Sequence, residues 1–146
     1  MSPVYPPHIM PAEWKGNYPH LSKLDRAVWD RFLLRYAQDF SGFAYDVALG
    51  GQRIEGLELD EPTLLGWQYN TAVKVDVIGY KDEEAWIIEV KPDAYVSAFG
   101  AAIAYSMLAE RESFINQRLV PTIVCEQAHP DVAWCCRQLG VNLIEI

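Results

Sequence analysis

Cysteine is scarce in this chain of 146 residues, which holds three: Cys125, Cys135 and Cys136. An odd count without framework spacing excludes a disulfide-stapled scaffold and points to a reducing compartment. Long apolar runs are missing as well. The longest uncharged stretch, Ala94–Ala109, is broken by Ser97, Tyr105 and Ser106 and falls short of the roughly 20 residues a bilayer crossing needs. It reads as a buried helix, and no membrane partner is expected. The opening MSPVYPPHIMPAEWKG has no apolar core of a signal peptide. Gly50-Gly51 stands alone as a turn, so no phosphate-cradling glycine loop is read. Basic residues are few, 12 against 20 acids, for a net charge of −8. That deficit disfavours nucleic-acid binding by charge alone. It does not disfavour an enzyme whose own carboxylates hold a metal. The deficit is also uneven: residues 1–40 hold five basic residues and four acids, so a polyanion would meet the first helix before the rest.

Hydrophobic residues make up 51% of the chain and charged ones 22%, a balance that excludes disorder and provides one core. Residues 1–22 contain five of the prolines. Proline at that density favours extended backbone and builds no core of its own. The segment reads as an arm on a single domain spanning 23–146. It would either lie on its own domain through Trp14 and Tyr18 or dock on another protein chain through Tyr5, Ile9, Met10 and Trp14. The stiffness of proline lowers the entropy lost on docking, so the expectation is a partner chain.

Apolar residues recur at helical spacing from Leu24 to Phe40, with Ser22 and Asp25 placed as a capping box and Gly42 as the stop. Phe43–Leu49 alternates as a strand. Residues 52–70 stay ambiguous, a hairpin tip or an irregular excursion. Thr71–Tyr80 and Ala85–Lys91 are strands joined by too few residues for anything but an antiparallel hairpin, and Pro92 is expected to end the second. A helix follows over 95–112, with Gly100 at a close contact. Leu119–Cys125 forms a strand, 131–139 a short helix ended by Gly140, and Val141–Ile146 a last strand. The order α-β-β-β-α-β-α-β predicts an α/β class, an α+β mixed sheet between helices.

Three polar residues stand where a buried sheet has no use for them. Asp76 lies inside VKVDVIGY, and Glu89 and Lys91 inside AWIIEVK. Glu89 and Lys91 are two apart and share a face. With the turn centred on Asp82–Glu83, Asp76 becomes the cross-strand neighbour of Glu89. Two adjacent buried carboxylates repel unless a cation joins them. Mg²⁺ or Mn²⁺ on Asp76, Glu89 and the carbonyl of Val90 resolves the conflict, and Lys91 would orient water and balance phosphate charge. Such a set fits phosphodiester hydrolysis. A Glu–Lys couple on a wet sheet face is the competing reading. The cluster Cys125, His129, Cys135 and Cys136 fits no common zinc spacing and reads as core cysteines, while His8 and His20 read as turn or surface residues.

With its flanking helix and strand, KVDVIGYKDEEAWIIEVK resembles the PD-(D/E)xK nuclease superfamily over about residues 24–125, and more loosely its small phage-encoded members. The resemblance implies an α-β-β-β-α-β restriction-endonuclease-like core. In it Asp76 is the acid of the second strand, and Glu89 and Lys91 are the E-x-K. It also implies an auxiliary acid on the first helix, for which Asp30 is preferred over Asp25. Many members carry Gln-x-x-x-Tyr on the following helix. Here Tyr105 is present and Ala101 stands in the Gln position.

Two functions follow as expectations. One is a metal-dependent DNA nuclease, with Arg26, Arg31 and Arg35 on backbone phosphates. The other is a structural component of a phage virion, in head completion, neck or tail, that keeps the nuclease fold. The first places the chain in the cytoplasm, the second in a virion.

Overall fold

Ser22 starts the first long helix, α1 (Lys23–Tyr36): its side chain accepts the Asp25 N–H while the Asp25 carboxylate accepts the Ser22 N–H, closing the expected capping box. The computed structural model describes residues 7–52, 60–112 and 115–146. The helix stops at Tyr36 and tightens into a 3₁₀ turn over Ala37–Asp39. Gly42 is therefore not its stop but the first residue of a strand. In chain order the described residues give β1 (Ile9–Pro11), α1, β2 (Gly42–Leu49), α2 (Glu61–Thr71), β3 (Val73–Lys81), β4 (Glu84–Ala94), α3 (Val96–Glu112), β5 (Arg118–Ala128), α4 (Pro130–Leu139) and β6 (Asn142–Glu145). The six strands form one mixed sheet in the order β1-β2-β3-β4-β5-β6. The first four are antiparallel, and β4, β5 and β6 run parallel through the α3 and α4 crossovers. This is the mixed α+β sandwich that the sequence predicts, with β1 and α2 added.

Helix α1 covers one face of the sheet. Val28, Trp29, Phe32 and Leu33 bury against Phe43, Val77, Ile88, Val90 and Val124. Helices α3 and α4 cover the other, where Ala98, Ala102 and Ala109 let α3 lie close. Cys125 and Cys136 are buried among these residues as core thiols. Gly100 faces open space rather than a close contact. Gly140 closes α4 in the left-handed conformation. None of the described helices is long and apolar enough to cross a membrane.

Pro92 does not end β4, which runs on to Ala94. Proline is excluded from a strand paired on both sides, but pairing with β3 stops at Ile88, so beyond it β4 is bonded to β5 alone. Within the ambiguous 52–70 stretch, residues 53–59 lie outside the described residues, and the remainder holds α2, capped by Asp60 accepting the Thr63 N–H. Gly50 and Gly51 adopt positive φ, and a Cβ on Gly51 would stand 2.2 Å from the Gln68 carbonyl oxygen, so the glycine pair lets α2 dock on the end of β2.

From residue 7 onward the predicted arm lies on its own domain, with Ile9 left exposed. Ile9–Pro11 pairs antiparallel with Ala44, Phe43 and Gly42 as an edge strand. Tyr18 stacks on Tyr45, with Trp14 packed against both rings. Two of the anchors expected to meet another chain, Met10 and Trp14, are thus engaged within the fold, and Tyr5 lies outside the described residues. Tyr18 is 4% exposed. Its replacement by Ala should cost about 3–5 kcal/mol, as for other large buried rings. Denaturant unfolding is expected to show that loss with no change of oligomeric state in sedimentation; a dissociated assembly with unchanged stability would restore the partner-docking view.

Candidate active site

The β3–β4 hairpin has the register the sequence predicts. Lys81 pairs with Glu84, Asp82 takes a positive φ in the turn, and the ladder runs to Val77 opposite Ile88. One step further stand Asp76 and Glu89, and there the ladder stops. The strands part, and the Asp76 carboxylate fills the gap by accepting the Val90 N–H through Oδ2 at 2.9 Å. A strand residue points its carbonyl to the same side as its N–H, so the Val90 carbonyl faces the fork too. Asp76 and Glu89 are 3% and 4% exposed, and Oε1 of Glu89 has no hydrogen-bond partner. Neither is on a wet face.

Strands β2 and β3 lose their alternation at this level, while β4 keeps Ile88 and Val90 on one face. Val75 and Val77, two apart, pack on opposite faces of the sheet, as Val47 and Tyr45 do in β2. The break falls at Asp46 and Asp76. Asp46 has φ of 52°, a left-handed conformation that costs a residue with a Cβ on the order of 1–3 kcal/mol. Its Oδ2 accepts the Tyr69 hydroxyl at 2.6 Å. His20, also at positive φ (71°), lies over the fork with Nδ1 3.6 Å from Asp46 Oδ1 and Nε2 3.7 Å from Asp76 Oδ1.

Electrostatics follows from this burial. Desolvation first, then the neighbouring Asp76 charge, pushes the Glu89 carboxyl up to about 8, with Lys91 pulling it down. Desolvation also raises Asp76, against the opposing Val90 hydrogen bond, Lys91 and His20. Lys91 therefore acts on both carboxylates, as its shared face with Glu89 requires. Tyr105 is raised by burial and then by Glu89 and Asp76, so its hydroxyl belongs to the same neighbourhood.

Two predicted contributions are placed elsewhere. The α1 acid acting on Asp76 and Glu89 is Asp25, not Asp30. Asp25 heads the i, i+4 ridge Asp25–Trp29–Leu33, and its last two members bury against the sheet. Asp30, about 100° round the helix from Trp29, is exposed and charges the surroundings of Tyr18 and Tyr45 instead. Nor do the three arginines converge. Arg26 donates to the Asn17 side chain, Arg31 pairs with Glu126, and Arg35 lies over the Tyr36 ring. Conversely, His20, Asp46 and Tyr69 were not predicted for the site. An Asp inside the apolar strand Phe43–Leu49 is the one signal the sequence offered for them.

Among the described residues no group of three His, Cys, Asp or Glu side chains stands ready to hold a metal ion. The fork instead presents two carboxylates and a backbone carbonyl. That all-oxygen set fits Mg²⁺ or Mn²⁺, which take one or two carboxylates and keep several waters. The unpartnered buried Oε1 of Glu89 is the observation that favours such a guest. Comparison with protein-family models, curated proteins and solved structures returned no match.

The raised Glu89 carboxyl has a consequence for stability. Its folded pKa, about 8, exceeds its ordinary value of 4.5, so the folded state holds a proton that the unfolded chain releases. The stabilising contribution is complete below about pH 4.5 and is lost as pH rises through about 8. The rise at Asp76 acts in the same direction. Each tenfold difference in proton affinity between the folded and unfolded chain is worth ~1.4 kcal/mol. Without divalent ions, stability should therefore fall by a few kcal/mol between about pH 5 and about pH 9. Glu89→Gln should flatten that slope in urea titrations across the range. A mutant slope as steep as wild type would show that Glu89 is not the group titrating.

Proposed function

We propose that this chain is a divalent-metal-dependent DNA nuclease with a PD-(D/E)xK-like site at the β3–β4 fork. The observation that carries the reading is the meeting of two buried carboxylates, one with an unpartnered oxygen, under the influence of a single Lys on the next same-face position of β4. Asp76, Glu89 and the Val90 carbonyl would hold Mg²⁺ or Mn²⁺, which when bound supplies Lewis acidity toward a phosphoryl oxygen and acidifies water. Burial favours the protonated form of Glu89, and a cation bound to its oxygen would favour release of that proton. Lys91 orients the attacking water and balances the negative charge that grows on the phosphate. Water adds to phosphorus, the bond to the leaving sugar oxygen breaks, and the products are a phosphomonoester and a free hydroxyl.

The dispersed arginines support weak, salt-sensitive attraction to the duplex rather than a basic track. Free thiols and the resemblance to phage-encoded members fit action in a bacterial cytoplasm or within a virion. A second reading, a virion component that keeps this fold without turnover, draws on Ala101 in the place of the family's Gln and on the arginines already engaged by Asn17, Glu126 and Tyr36.

Purified protein incubated with single- and double-stranded DNA should cleave only when Mg²⁺ or Mn²⁺ is added. Asp76→Ala, Glu89→Ala and Lys91→Ala should each lower the rate by about 100-fold or more, with circular dichroism unchanged. Cleavage surviving equally in all three variants would remove the nuclease reading. Mn²⁺ binding that depends on Glu89, with no cleavage of any DNA, would favour the virion component.

A further inference from the structure

Tyr69, Asp46 and His20 form a chain that leads to Asp76 and that no part of the proposed reaction uses. Its links are the 2.6 Å hydrogen bond from Tyr69 to Asp46 Oδ2, the 3.6 Å approach of Asp46 Oδ1 to His20 Nδ1, and the 3.7 Å approach of His20 Nε2 to Asp76 Oδ1. The four residues come from α2, β2, the turn before α1, and β3, so nothing local in the sequence places them together. Asp46 is a member of a sheet yet holds a left-handed backbone, and so does His20 at the end of its turn. Asp46 Oδ1 is buried and has no hydrogen-bond partner, which leaves the His20 ring as the polar group it faces. Strained backbone at two successive links of one chain points to a position selected for what the side chains do.

We infer that Asp46 and His20 are positioning residues for the carboxylate of Asp76. The inference rests on the fork being a divalent-cation site, as proposed above. Asp76 has two oxygens with separate duties. Oδ2 is fixed by the Val90 N–H, which sets where the carboxylate sits but not how it is turned. Oδ1 is the oxygen left for a cation, and the His20 ring faces it. Tyr69 holds Oδ2 of Asp46, which leaves Oδ1 on the side of the ring, 3.6 Å from Nδ1. Groups behind a metal-binding carboxylate set its orientation, and their loss typically weakens metal affinity by about 10- to 100-fold. His20 itself is half-exposed, 45% at the side chain, while Asp76 beyond it is buried, so the chain reaches solvent at its third link.

The test is Mn²⁺ binding, followed by calorimetry or by the loss of free-ion electron paramagnetic resonance signal. Two variants keep the backbone requirement, because Asn tolerates the left-handed region. His20→Asn removes the ring, and Asp46→Asn keeps an acceptor for Tyr69 while removing the charge facing Nδ1. Each should weaken Mn²⁺ binding about 10- to 100-fold with the melting temperature of the metal-free protein unchanged. Wild type that binds no Mn²⁺ overturns the cation site and this inference with it. Wild type that binds Mn²⁺, with both variants binding equally well, overturns the positioning role alone and leaves the proposed function standing.

Discussion

The hydrogen bond from the Val90 N–H to the Asp76 carboxylate governs the architecture of the site. An antiparallel ladder normally continues until one strand ends. Here both strands continue and the ladder stops at Val77 and Ile88, because a side chain has taken the place of the backbone acceptor. Leaving the Val90 N–H without a partner in this dry interior would cost about 1–3 kcal/mol; the carboxylate removes that penalty and allows the strands to part. The parting turns the Val90 carbonyl, Glu89 and Asp76 toward one space. It also frees β4 from β3 early enough for Pro92 to be carried without a broken bond.

The hairpin and its two carboxylates were legible because their determinants are local. The charged turn around Asp82–Glu83 fixes the register, and the period of two fixes which residues share a face. The capping box at Ser22 and Asp25 and the Gly140 stop were legible for the same reason. What was not legible depended on rotation or on distance in the chain. Asp25 and Asp30 are both acids on α1, and only the packing of Trp29 and Leu33 shows that it is Asp25 whose charge is felt at the fork. Helix α2 was hidden because its sole buried side chain is a glutamine, Gln68, so no apolar stripe announces it, although Asp60 before Pro62 was a readable start. His20 needed the turn before α1 to fold over β2 and β3, which no spacing encodes.

Aromatic packing ties the same regions together. Trp29 stacks on Phe32, meets Phe43 edge-on, and donates its indole N–H to Tyr45. Tyr45 then stacks on Tyr18, which precedes His20 by two residues. The core under α1 therefore sets the height of the turn that carries His20 above the carboxylates. Asp46 follows Tyr45 directly, so the ring that anchors the turn and the acid that faces the imidazole are adjacent on one strand. Burial of hydrocarbon and placement of the polar chain are one arrangement here.

The proline-bearing strand β1 also matters for colloidal behaviour. Strand β2 has β3 on one side, and without β1 its other side would be an open row of donors and acceptors along Gly42–Leu49, the kind of edge on which another chain can add a strand. Ile9–Pro11 covers the first part of that row and presents an edge of three residues, one of them proline with no N–H to offer. The opposite end of the sheet is closed by β6, four residues long. Among the described residues the sheet thus ends in strands of three and four residues, which leave only short outer rows for another chain to join.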